Sequence, residues 1–205
     1  MSDSPAPSRT ERRALADLLG ELGPDAPTCC EGWRTRDLAA HLVVRDRRPD
    51  AAAGFVVGGA LAAWTDRVMA GARQRDFAAL VADVHSGPPG WVPTSWPVLD
   101  RVLNTAEMTI HHEDVRRAQP DWSPRDLDRA TQDQLWSAVP LLARGGAGGS
   151  DGGLIAQRTD LPAGGTSVRR LRSGKPVTTV AGPPLEVLLW VSGRQDVARV
   201  EVTQD

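Results

Sequence analysis

Leu15, Leu18, Leu19 and Leu22 recur at helical spacing and predict a first helix over Arg9–Leu22, stopped by Gly23-Pro24. After a loop carrying Cys29, Cys30 and Trp33, Thr35 is expected to cap a second helix, with Asp37 in its first turn. The apolar run Leu38-Ala-Ala-His41-Leu-Val-Val44 follows. Weaker helical patterns run through Ala60–Ala72 and Phe77–Val84, up to the breaker Gly87-Pro-Pro-Gly90. A long helical pattern then covers Pro97–Ala118 and closes at Pro120, and Ser123-Pro-Arg opens another helix to Leu142.

Beyond that point the periodicity changes. Residues 145–153 hold six glycines and read as a flexible linker. Short β-rich pieces follow at Leu154–Arg158, Thr166–Arg170 and Val177–Val180, then a helix over Pro184–Ser192 and a strand at Ala198–Val202. The pattern predicts a mainly α protein, with a helical bundle over 1–142, a glycine-rich linker over 143–153 and a small α/β segment over 154–205.

Composition narrows the class. A chain of 205 residues makes one large domain, or one domain with a small companion, at roughly 150 residues per domain. A net charge of -2 and no basic stripe argue against nucleic-acid binding. The longest uncharged apolar stretch, Ala51–Trp64, has 14 residues and three glycines, short of the roughly 20 that span a bilayer. The two cysteines are adjacent, which offers no disulfide framework, and residues 1–8 lack a signal-peptide pattern; a cytoplasmic location is expected.

One inward polar cluster changes this bland picture. Glu107 and His111 are four residues apart, so both side chains share one helix face with Leu103, Ile110, Asp114 and Ala118. A carboxylate and an imidazole on an apolar stripe need a partner, since burial penalises unpaired polar groups. His41, between Leu38 and Leu42 on a second inward stripe, is the candidate. Two histidines and a glutamate suit zinc or another divalent ion and leave a position for water or substrate. Asp114, three residues past His111, is placed to accept an imidazole hydrogen bond and fix its tautomer.

Other features read more simply. A Glu/His pair alone usually makes a solvated or hydrogen-bonded face, and a lone inward histidine is usually a satisfied core residue; the three together bring the metal reading level with these. His112 points about 100° away from His111, and His85 belongs to a Gly/Pro loop, so neither is assigned a metal role. Cys30, beside Trp33, reads first as a small packed residue and second as a reactive thiol or soft metal ligand. Arg45, Arg47 and Arg48 read first as a solvated helix end and second as a clamp for a substrate carboxylate. Arg116-Arg117 and Arg169-Arg170 read as surface.

Two stretches, Gly32-Trp33-Arg-Thr-Arg-Asp37-Leu-Ala-Ala-His41-Leu and Asn104-Thr-Ala-Glu107-Met-Thr-Ile-His111-His-Glu-Asp114-Val-Arg-Arg-Ala118, carry a family resemblance. They resemble the actinobacterial mycothiol-dependent maleylpyruvate isomerase-like proteins within the DinB/YfiT-like metalloenzymes. Gly182-Pro-Pro-Leu-Glu-Val-Leu-Leu-Trp190-Val-Ser-Gly-Arg194 is similar to the helix of that family's α/β tail, so the likeness spans nearly the whole chain. The string after His111, with Pro120-Asp-Trp-Ser-Pro-Arg125, also resembles a subgroup described as metal-binding.

The resemblance implies a DinB-like up-down four-helix bundle, a divalent ion at His41, Glu107 and His111, and mycothiol as thiol cofactor. The expected function is thus a zinc-dependent thiol transferase or isomerase acting on a small-molecule thiol and an anionic substrate. The alternative is a non-catalytic metal- or ligand-binding module with a structural or sensory ion.

Overall fold

The computed structural model describes residues 6–92, 104–144, 152–162, 165 and 167–205. They divide into two compact units, Met1–Trp122 and Ser123–Asp205. The first is a DinB-like helical bundle and the second contains a small mixed sheet with helices, matching the predicted fold class. The expected boundary fell after 142; contacts instead group the helix ending at Ala143 with the sheet-containing segment. Residues 145–151 of the expected linker lie outside the described residues.

The first unit begins with α1 (Pro7–Leu22), whose proline at the first helical position has its φ preset. Gly23 ends it at φ +75°, a conformation that suits glycine, and donates its N–H to Leu19 O at 3.1 Å. In α2 (Thr35–Arg47) the expected cap is corrected. Thr35 is already helical, and Asp37 accepts a hydrogen bond from Arg34 N–H at 2.9 Å. The Thr35 hydroxyl instead donates to Gly23 O at 2.6 Å, tying the start of α2 to the end of α1.

Two single turns, Pro49–Ala52 and Gly54–Val57, lead to α3 (Ala60–Arg73). Then comes α4 (Phe77–Ser86), capped by Asp76 accepting from Ala79 N–H at 2.9 Å. The long helix expected over Pro97–Ala118 is described as α5 (Thr105–Arg116); residues 97–103 lie outside the described residues.

Helix α1 packs on α4 and α5, and α2 packs on α3 and α4. Leu15, Leu19, Leu38, Leu42, Leu80 and Met108 are fully buried between them. Full burial of each such side chain contributes about 1.5–3 kcal/mol, which holds the faces of α2 and α5 that carry the polar cluster.

The second unit starts with α6 (Arg129–Ala143), six residues after the expected Ser123 start, because Asp128 provides the cap to Thr131 N–H at 2.8 Å. Strands β1 (Gly153–Arg158), β2 (Ser167–Arg172) and β3 (Val177–Gly182) precede α7 (Pro184–Val191) and β4 (Glu201–Gln204). The sheet order is β2-β1-β3-β4, with β1 and β3 parallel and both outer pairs antiparallel. β3 alternates half-buried and buried positions, the period of a strand with one covered face. Every residue of α7 is buried, and Gln132 of α6 accepts Leu185 N–H at 3.1 Å. The last strand is displaced from the expected Ala198–Val202, since Glu201 to Gln204 pair with Ala181 to Thr178.

Candidate metal centre

His41 lies in the middle of α2, where Leu38 and Leu42, both 0% exposed, anchor the inward face. Glu107 and His111 lie one turn apart on α5. The packing of the bundle brings the three together: Glu107 Oε1 is 3.3 Å from His41 Nε2 and 3.2 Å from His111 Nε2. Both histidines are buried, whereas the Glu107 side chain retains 27% exposure and opens the cluster toward one side. Ligand atoms of the three lie within 4.8 Å of one another.

That spacing fits a divalent ion. Bonds of about 2.0–2.2 Å in a tetrahedral arrangement separate ligand atoms by about 3.3 Å. The donor set, two imidazoles and a carboxylate, suits zinc and its borderline neighbours. The second nitrogen of His111 is already committed: Nδ1 is 2.9 Å from Asp114 Oδ2. With Nδ1–H donating to the carboxylate, Nε2 presents its lone pair toward Glu107 and His41. His41 Nδ1 is buried without a hydrogen-bond partner.

The charge state follows from these contacts. Burial pushes His41 below the ordinary histidine value, and the neighbouring His111 and Arg45 charges add to this against the opposing pull of Glu107. For Glu107, burial favours the protonated form, but hydrogen bonds from His111 and His41 and the Arg45 guanidinium outweigh it and hold the carboxyl well below its usual range. Burial likewise opposes the His111 cation, yet Asp114, Cys30 and Glu107 raise it well above the usual value. A protonated His111 would donate Nδ1–H to Asp114 and Nε2–H to Glu107, and the proton on Nε2 is the one an ion would replace.

The surroundings include residues whose role the sequence left undecided. Arg45 does not end in solvent: its Nε is 3.3 Å from Glu107 Oε1, Nη2 donates to Asn104 Oδ1 at 2.8 Å, and Nη1 donates to Asp46 Oδ1 at 2.9 Å. Cys30 is not simply packed, since its Sγ is 3.1 Å from Asp114 Oδ2, and Cys29 N–H donates to Asp114 O at 2.8 Å. Cys30, His111 and Asp114 thus form a second close group that shares His111. Trp33 and Phe55 flank the His41 ring at centroid distances of 5.3 and 4.5 Å.

His112 turns to α1, where Nδ1 is 3.0 Å from Glu11 Oε2, and His85 is exposed near the end of α4. Arg117 corrects its surface expectation. It is 4% exposed, donates to Glu113 Oε2 at 2.5 Å, and its guanidinium carbon lies 4.6 Å from the Trp122 ring centroid. Among the described residues, no helix is long and apolar enough to cross a membrane.

A DinB-like bundle with a buried His/Glu/His cluster between two of its helices is the class that fold and geometry define. Residues 8–90 match the family model described as the mycothiol maleylpyruvate isomerase N-terminal domain. The likeness to that domain thus covers α1 to the end of α4, less than half of the chain. Of the cluster, His41 lies inside the matched range. A solved structure, a histidine-to-alanine variant of the mycothiol-dependent maleylpyruvate isomerase, superposes with a TM-score of 0.61 at 13% identity. The match covers 96% of this chain and 90% of that one, a likeness of fold. No curated protein matches the sequence.

Proposed function

We propose that the protein is a divalent-metal enzyme, with zinc held by His41, Glu107 and His111, that uses a small-molecule thiol, mycothiol, in a transferase or isomerase reaction. The observation that carries this reading is the convergence of two imidazole Nε2 atoms on Glu107 Oε1 at 3.3 and 3.2 Å, with His111 Nδ1 bonded to Asp114. A bound divalent ion would supply Lewis acidity, lowering the pKa of a thiol or water at the open position.

The chain's own residues do the rest. Asp114 fixes the His111 tautomer and raises its basicity as a ligand. Arg45 keeps Glu107 ionised and places a cation at the cluster, where an anionic substrate would be attracted. Trp33 and Phe55 shield the His41 side from water.

A non-catalytic reading has one observation in its favour. Cys30 stands beside Asp114 and His111 and offers a further ligand that would close the coordination of an ion at His111. Metal analysis of the purified chain, with mycothiol titration by calorimetry, tests the two together. The enzymatic reading expects one zinc per chain, its loss in His41→Ala and His111→Ala, and mycothiol binding only to the metal-loaded protein. Stoichiometric zinc in both variants would refute the ligand assignment. A large fall in melting temperature on chelation, without thiol binding, would favour the structural ion.

A further inference from the structure

A second polar site lies at the start of α1, independent of the metal reading. A cavity of about 220 Å³ is walled by Ser8, Arg9, Arg12 and Arg13 of α1 and by His85 and Ser86 at the end of α4. Arg9, Arg12 and Arg13 are spaced i, i+3 and i+4, so three cations occupy one helix face, an arrangement that repels itself unless something negative lies between them.

Among the described carboxylates only Asp46 relieves it, and only at Arg12. Asp46 is committed to Arg12 and Arg45, Asp83 to Arg47 and Arg75, and Glu11 to His112. No described acidic side chain pairs with Arg9, Arg13 or His85.

Arg12 gives the site its inner wall. It is 6% exposed, donates through Nη1 to Asp46 Oδ2 at 2.5 Å and to Val84 O at 3.2 Å, and leaves Nη2 without a hydrogen-bond partner. A buried guanidinium with an unsatisfied donor is costly. Gly87, at φ +76°, lies against it: a Cβ there would stand 3.4 Å from Arg12 Cδ and Nε, so the glycine leaves room for the arginine. The positive end of the 16-residue α1 adds to a setting that favours negative charge.

We propose that this cavity binds a phosphate-type oxyanion, either free inorganic phosphate or the phosphate group of a small phosphomonoester. Guanidinium forks match the oxygens of such a group, and several convergent arginines favour a multiply charged anion over a simple carboxylate.

The test is a titration of the full-length protein with inorganic phosphate, and separately with phenyl phosphate, followed by amide and arginine Nε NMR signals at constant ionic strength. Wild type should show saturable shifts centred on Ser8, Arg12 and Gly87, with a dissociation constant of about a millimolar or tighter. The solvent-exposed double variant Arg9→Gln/Arg13→Gln should bind at least about tenfold more weakly while keeping its melting temperature. Tighter binding of phenyl phosphate would identify a phosphomonoester as the better occupant, and equal binding would identify the free ion. Absence of saturation, an equal response to chloride, or unchanged binding in the double variant would overturn the proposal.

Discussion

Asp114 accepts the Nδ1–H of His111 at 2.9 Å, and this single hydrogen bond decides which imidazole nitrogen faces Glu107. Asp114→Asn replaces a charged acceptor with an amide that can present a donor to the same nitrogen. Removal of such a partner typically costs 10–100-fold in metal affinity, so zinc competition titrations of D114N should show a loss of about that size. Circular dichroism should show the helical bundle retained.

Buried charge joins α1 to the same neighbourhood. Arg12, Asp46 and Arg45 form a continuous ionic line, in which the Asp46 side chain is 2% exposed. Asp46→Asn leaves two guanidinium groups without their shared counter-charge. Breaking a buried pair in this way costs about 3–5 kcal/mol, which urea unfolding would register as a matching fall in stability. A loss below about 0.5 kcal/mol would mean that the line contributes no more than an exposed pair.

Acid sensitivity is expected in the second unit. Arg158 holds Asp160 through two hydrogen bonds, at 2.7 and 2.6 Å, and lowers its pKa, with burial opposing. A carboxyl whose folded value is lowered stabilises the protein above its unfolded value, about 3.9, and loses that contribution as pH falls through the folded value. Stability of the wild type should therefore drop more steeply below about pH 4 than that of Asp160→Asn. Denaturant midpoints measured between neutral and acidic pH check this, and parallel curves would contradict it.

What the sequence disclosed follows from periodicity. Glu107, His111 and Asp114 share one α5 face at spacings of four and three, and His41 interrupts an apolar run, so the cluster was legible before any tertiary contact was known. Arg45 was not, because an arginine in the last turn of a helix has the same local pattern whether it ends in solvent or on Glu107. Cys30 meets Asp114 across 84 positions, and no local rule reports such a contact. Arg117 was misjudged for the same reason, since Glu113 and Trp122 bury it. Strand β4 was displaced because all four of its residues are exposed, leaving no alternation to fix its ends.

Zinc K-edge absorption on the zinc-loaded, thiol-free protein tests the central claim most directly. The account predicts a first coordination shell of nitrogen and oxygen only, at about 2.0–2.1 Å, with imidazole scattering that is lost in His111→Ala. A sulfur scatterer at about 2.3 Å would place the ion on Cys30 instead and contradict the His41, Glu107 and His111 site.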